Sequence, residues 1–446
     1  MQRLYEPLAY ADDSDAGSYW RTTVEDREWS AVSGDLETDF AVIGSGYTGL
    51  SAALHLARDH GASVKVLDAK QPGWGASGRN GGFCCLGGAA ADTGTLKARF
   101  GQQKIDAFHG AMRGAVDMVD GLLDQYGIDA DRHSDGETLL AHTDRSVDVL
   151  KDEAERVRTA YGVEPKLIAG DDLVDHGMGG AGFHGAVTTP IGFALNPRKY
   201  ALGLAAAAER EGALIFGNTP VTSIKQSNGC YRLSTPTGIV TAKHLLLATN
   251  GYSSDDVPPW MAGRYLPVQS SILVTRELTD DELAAQGWTT HQMCYDTRHL
   301  LHYFRLMPNR RMLFGMRGAT KASPKAFEAT KRILRAEFET MFPAWAQVET
   351  PHFWTGLLCL SRGLTPYVGP LGDWPNAFTA FAYHGNGVAM GTYAGALMAD
   401  LAAGVENPKR PLPDLMAAPP KKFELGRWRR SLLPLAHRWY EWQDRG

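Results

Sequence analysis

The feature that most constrains this chain is a glycine-spaced turn, Gly44-Ser45-Gly46-Tyr47-Thr48-Gly49, set between an apolar run and an amphipathic pattern. Phe40-Ala41-Val42-Ile43 reads as a buried strand. Leu50, Ala53, Leu54 and Ala57 then recur at helical spacing, and Gly61 suits the turn that ends the helix. Val64-Lys65-Val66-Leu67 completes a βαβ unit. In such a unit the first glycine permits the tight turn. The second lets the backbone approach a pyrophosphate seated on the helix N-terminus, and the third lets helix and strand pack closely. Asp68 ends the second strand, where a carboxylate accepts hydrogen bonds from a ribose diol and repels a 2′-phosphate. The motif predicts a dinucleotide other than NADP and leaves FAD and NAD open.

Composition limits the remaining classes. A formal net charge of −5 over 446 residues gives no basic field for nucleic acid. Residues 1–16 are acidic and interrupted, unlike a secretory signal, and no apolar run approaches the roughly 20 residues that span a bilayer, so a cytoplasmic protein is expected. Five cysteines without C-x-x-C spacing argue against a disulfide framework and a structural zinc site, and no metal is expected. Cys84 and Cys85 read as buried thiols.

Beyond the βαβ unit, Ile105, Phe108, Met112, Val116, Val119 and Leu123 mark a long amphipathic helix stopped by Gly127. The nucleotide-binding pattern resumes with an Ala- and Leu-rich helix over 198–212 and runs to His244-Leu-Leu-Leu-Ala-Thr-Asn-Gly251. It departs again over about 252–350, where Ser271-Ile-Leu-Val274 and Met312-Leu-Phe-Gly315 look strand-like and a helix is expected over 324–341. Two interleaved domains follow from this alternation.

Gly75-Ala-Ser-Gly-Arg-Asn-Gly-Gly82, shortly after the acidic strand end, resembles the second FAD contact of the D-amino-acid-oxidase-like flavoproteins, most of all their gamma-glutamylputrescine oxidase branch. The resemblance extends to Tyr19-Trp20, Leu195-Asn-Pro197, Tyr303-Phe-Arg305, Leu313-Phe-Gly315, Leu364-Thr-Pro-Tyr-Val-Gly-Pro370 and Tyr383-His-Gly-Asn-Gly-Val388. It implies an α/β and α+β architecture: a Rossmann-like FAD-binding domain and a discontinuous substrate domain on an antiparallel or mixed sheet with helices. The expected limits are an N-terminal arm over 1–37, an FAD-binding domain over 38–92, 189–256 and 351–404, a substrate domain over 93–188 and 257–350, and a tail over 405–446. Related proteins often carry Glu where Asp68 stands, and Cys359 is poorly spaced from Leu364-Thr-Pro366 for covalent attachment, so a non-covalent flavin is expected.

The resemblance implies that Gly44, Ser45, Gly46, Tyr47, Thr48, Gly49, Asp68, Ala69, Ser77, Gly78, Arg79, Asn80, Gly81, Gly82, Val221, Gly251, Gly385, Asn386, Gly387 and Val388 bind the cofactor. The last turn brings a helix N-terminus to the flavin, where backbone N–H groups stabilise the charge of the reduced ring. Tyr303, Arg305, Arg317, Tyr383 and His384 are the candidate catalytic residues. Either arginine can clamp a substrate carboxylate or serve in an ordinary salt bridge, and His384 can act directly or brace its turn. The expected activity is oxidation of a CH–NH bond by hydride transfer to flavin, giving an imine and then an aldehyde. The expected partners are a gamma-glutamylputrescine-like amine and O2 or an electron carrier. Oxidation of a cyclic or N-substituted amino acid, or a non-catalytic redox sensor, are the alternatives. The tail, with Trp428, Trp439 and Trp442 among arginines, is expected to dock on the body or on a second subunit.

Overall fold

The computed structural model describes residues 1–25 and 27–444; Asp26 of the expected arm, and Arg445 and Gly446 of the expected tail, lie outside the described residues. Two eight-stranded sheets organise the chain. At the centre of the first, the strand Leu36–Ile43 lies parallel to Val64–Leu67 on one side and to Gly238–Leu247 on the other. Leu214–Phe216 extends one edge. Ala377–Phe381 and Tyr367–Pro370 extend the other. The helix Tyr47–His60 buries Leu50, Ala53, Leu54 and Ala57 against this sheet, and Gly61 closes it in the left-handed conformation.

The helix Gly387–Ala402 crosses beside Tyr47–His60 at very close range. A Cβ on Gly395 would fall 2.3 Å from the Thr48 carbonyl oxygen, so only glycine permits the approach. Both helices therefore start at the same end of the sheet, and Thr48 and Tyr383 share a 2.8 Å hydroxyl hydrogen bond there.

The second sheet runs in the order His352–Leu360, Leu266–Val274, Met312–Arg317, His302–Leu306, Met293–Asp296, Glu137–Leu140, Gly185–Thr189, Lys166–Ala169. Behind it, Phe304, Phe314, Phe338, Phe342, Trp288 and Trp345 form a core under the helix Pro324–Met341. Its front carries Glu137, Tyr295, Tyr303 and Arg317 and looks toward the first unit. One boundary differs from the expected limits: His352–Leu360, assigned by sequence to the first unit, pairs with Leu266–Val274 in register from Leu266↔Leu360 to Val274↔His352. Its backbone groups are satisfied by the second sheet, and the return to the first unit comes only at Tyr367.

The arm and the tail are anchored to the body. Trp20 is buried, and its indole N–H donates to the Asn80 carbonyl at 2.9 Å. In the tail, Arg429 is buried and paired with Asp255, while Trp428, Trp439 and Trp442 are exposed. No helix among the described residues is long and apolar enough to cross a membrane.

Candidate active site

A cavity of about 650 Å³ runs between the two units. Its floor is the glycine turn. Gly44 has φ +103°, and a Cβ there would lie 2.8 Å from the Ala248 carbonyl oxygen; on Gly49 it would fall 1.9 Å from the Gly44 carbonyl oxygen. The turn can therefore be built only with glycine at these positions. Gly46 caps the helix Tyr47–His60 without offering a side chain; the Tyr47 N–H donates to the Ser77 hydroxyl at 3.0 Å, and the positive end of the helix is turned to the cavity lined by Gly46, Tyr47 and Thr48. Asp68 stands beside the turn, where one carboxylate oxygen accepts from the Ser45 N–H and hydroxyl, both at 2.6 Å, and the other accepts from the Lys70 N–H at 2.8 Å.

The segment 76–82 folds against this turn. Asn80 accepts from the Gly82 N–H and donates to the Ala76 and Ser77 carbonyls, making the loop a closed unit. Two indoles fix it from outside, Trp20 on the Asn80 carbonyl and Trp354 on the Arg79 carbonyl at 2.7 Å. Leu195-Asn196-Pro197 locks its end: the Leu195 N–H donates to Gly82, while Asn196 caps the helix Pro197–Arg210 with Pro197 in its first turn. Arg79 donates to Trp74, Ser14 and Thr355, yet its Nη2 is buried without a partner among the described residues.

At the far wall, Ala382, His384 and Gly385 all take positive φ, turning the chain into the helix Gly387–Ala402, whose Asn386 cap also makes no side-chain bond to the helix. Two helix N-termini whose cap residues make no side-chain bond to the helix thus meet one cavity with an anchored carboxylate and an orphaned guanidinium nitrogen, a set of groups that fits the diphosphate, ribose and flavin ring of FAD. Of the expected cofactor residues, Gly44, Ser45, Gly46, Tyr47, Thr48, Asp68, Ala69, Ser77, Arg79, Asn80, Gly81, Val221 and Gly385 to Val388 line the cavity. Gly49, Gly78, Gly82 and Gly251 do not, and each instead faces backbone at close range: Gly44, Gly73, Leu195 and Leu357 respectively.

The candidate catalytic residues separate into two groups. Tyr303, Arg317, Tyr383 and His384 line the cavity; Arg305 does not. Arg305 is fully buried on the adjoining part of the sheet, donating to the Leu195 carbonyl at 2.7 Å and lying 3.1 Å from His133. Burial pushes its guanidinium down to about 9. A side chain so committed braces the 76–82 loop through Leu195 and is not placed to clamp a ligand in the cavity. Arg317 is the opposite case: its side chain makes no ion pair or hydrogen bond with a described residue, and desolvation holds its pKa below the ordinary arginine value. Tyr303 lies between Gly81 and Gly315, where a Cβ would meet its ring at 3.0 and 2.3 Å. Its hydroxyl bonds Ser270 at 2.7 Å, and burial pushes it up to about 12. His384 has both ring nitrogens engaged, Nδ1 2.8 Å from the Gly88 carbonyl and Nε2 accepting from the Ser361 N–H at 3.2 Å. Burial pushes it down to about 4, so it is neutral and braces the turn.

Sequence reasoning missed Ser270, Trp354, His109 and Glu137. The last two sit in a lobe between the helices Gln102–Tyr126 and Val147–Tyr161 and the second sheet. Strand alternation carried the available signal for Glu137, since it shares a sheet face with Leu139.

The sequence model of the family described as DAO, FAD dependent oxidoreductase, matches residues 39–401. The chain is 29% identical to gamma-glutamylputrescine oxidoreductase of Escherichia coli (strain K12) over 366 residues, 82% of this chain and 84% of that protein. It is 30% identical to the probable oxidoreductase OrdL of Rhizobium meliloti (strain 1021) over 434 residues, 96% of this chain and 97% of that one. Among solved structures, glycine oxidase from Geobacillus kaustophilus superposes with a TM-score of 0.69 at 18% identity, covering 86% of this chain and 99% of its own.

Proposed function

The chain belongs to the DAO family of FAD-dependent oxidoreductases, and from that premise we propose that it oxidises the CH–NH bond of a carboxylate-bearing amine, a gamma-glutamylputrescine-like amine foremost. The product is an imine that water converts to an aldehyde with release of the nitrogen, and O2 or an electron carrier takes up the two electrons. The observation that carries the reading is Arg317, a half-buried cation without a counter-charge among the described residues, in the same cavity as the FAD cradle. A guanidinium so placed offers paired donors to a carboxylate. The likeness to the Escherichia coli oxidoreductase supports the choice of amine.

Asp68 would hold the ribose, the turn Gly44–Thr48 the diphosphate, and the segments 77–81 and 385–388 the flavin ring. Held by these residues, FAD would supply the acceptor for the hydride of the substrate carbon. The protein's own part is to present the amine uncharged, since only a free lone pair assists the loss of that hydride. Tyr303, Tyr383 and the apolar wall formed by Ile272, Leu357 and Leu358 disfavour an ammonium beside the ring. His384 stays neutral and positions the turn.

Flavin attachment is proposed to be non-covalent. Cys359 lines the cavity, but burial pushes its thiol up to about 12, away from the thiolate that forms such a bond. Acid precipitation should release the yellow cofactor to the supernatant, and colour kept in the pellet would overturn this. Anaerobic mixing with gamma-glutamyl amines, free polyamines, cyclic amino acids and N-methyl amino acids tests the reaction. Gamma-glutamyl amines should bleach the flavin fastest; bleaching by cyclic amino acids alone would replace the substrate assignment.

A further inference from the structure

Glu137 is the one acid in the cavity's side lobe that lacks a charged or backbone partner. Glu153 is paired with Arg156 through two hydrogen bonds, at 2.7 and 2.5 Å, and Asp92 caps the helix Thr93–Phe100. Glu137 makes no ion pair with a described residue; the Cys85 thiol donates to its carboxyl, and Glu153 and Arg156 lie nearby, already matched to each other. Facing the same lobe, His109 is 8% exposed, with Nδ1 unbonded among the described residues. Apart from Glu153, Arg156 and Tyr161, the lobe is lined by the apolar side chains of Leu96, Ile105, Phe108 and Met112. A carboxyl without a cation of its own and a ring nitrogen without a partner among the described residues indicate a ligand group that supplies N–H donors and positive charge.

The register of the second sheet sets the distance. Tyr295, Tyr303 and Gly315 stand in one row across it. Arg317 lies two residues to one side of that row, and Glu137, opposite Met293, two residues to the other. Arg317 and Glu137 are three strands apart, roughly 14 Å across the sheet and roughly 13 Å along it. A single α-amino acid group cannot touch both. An extended molecule with a carboxylate at one end and an ammonium toward the other can.

We infer that this lobe is a specificity subsite in which Glu137 receives a cationic ammonium on the end of an elongated substrate remote from Arg317. The ammonium that Glu137 receives is a second nitrogen of the substrate, not the one oxidised; the inference rests on the proposed amine chemistry for its place in the reaction, although the binding it describes is separable from turnover. His109 adds a ring nitrogen that accepts from the same ammonium. Burial and the neighbouring Glu153 hold the Glu137 carboxyl up to about 7. Cys85, Cys294, Tyr295, Glu153 and Arg156 are the titratable groups around it, and Arg156 is already matched by Glu153. Ammonium binding therefore tightens as the pH rises through about 7, as the proton leaves Glu137.

The test is anaerobic calorimetric titration of the flavin-loaded protein with ω-amino acids of graded length, from 5-aminopentanoate to 10-aminodecanoate, each against the fatty acid of the same length. One length should show a tenfold to hundredfold tighter Kd with the ammonium present, the range expected for a charge-assisted hydrogen bond. Glu137→Gln should erase that advantage while leaving the fatty acid affinity unchanged, and Glu137→Asp should move the optimum to a longer probe. An ammonium that never improves binding, or an advantage that survives Glu137→Gln, overturns the inference. If no amine bleaches the flavin but the ammonium advantage is present, the proposed reaction falls and the subsite stands.

Discussion

A carboxyl whose proton is held up to about 7 in the folded protein, as that of Glu137 is, weakens the fold as the pH rises. The unfolded chain releases this proton near 4.5, so between these values the native state binds more protons, and stability falls with increasing pH. Above about 7 the full cost is present. Glu137→Gln should therefore stabilise the ligand-free protein at pH 8 by about 1–2 kcal/mol once cavity water is allowed for, read as a higher melting temperature, and leave it unchanged at pH 4. Equal melting at both values would show that the carboxylate is relieved by a partner. At this scale the sequence was legible where chemistry is tied to a local pattern. Gly44, Gly46, Asp68 and the loop 76–82 announce themselves by spacing, and the structure gathers them around one cavity. Arg305 and Arg317, one strand apart, could not be told apart by sequence. Which of them has a carbonyl to bind depends on Leu195, more than a hundred residues away. Glu137 was illegible because its isolation is a property of everything packed around it.

At the scale of elements, helix and strand periodicity placed the parts of both sheets well. Pairing was harder to read. The strand His352–Leu360 follows a helix of the second unit and precedes a motif of the first, and only its register with Leu266–Val274 decides where it belongs. The crossing of the helices Tyr47–His60 and Gly387–Ala402 was likewise invisible, since it depends on Gly395 meeting the Thr48 backbone. Gly395→Val should force these helices apart at a cost of about 1–3 kcal/mol, with loss of flavin on gel filtration as their N-termini separate. Gly391→Ala is the control, because a Cβ there meets its nearest neighbour at an ordinary 3.4 Å and should leave the flavin to protein ratio unaltered.

For the molecule as a whole, the 76–82 loop is the junction of three remote parts of the chain: the arm through Trp20, the second sheet through Trp354, and the first unit through Ser77, whose hydroxyl accepts from the Tyr47 N–H. Trp20→Ala should cost about 3–5 kcal/mol and lower flavin occupancy, whereas Trp20→Phe, which keeps the ring and loses one hydrogen bond, should cost about 1 kcal/mol. Thermal melts followed by flavin absorbance distinguish the two. The same far-flung connectivity governs how the protein assembles on the ribosome. The strand Leu36–Ile43 waits for Gly238–Leu247, which in turn waits for Ala377–Phe381, and the second helix N-terminus follows only at Gly387. Contacts this distant in sequence form late. The newborn chain thus has no complete pocket until the segment around Gly387 has been synthesised, and capture of the cofactor waits on the pairing of Leu36–Ile43 with a strand about two hundred residues further on.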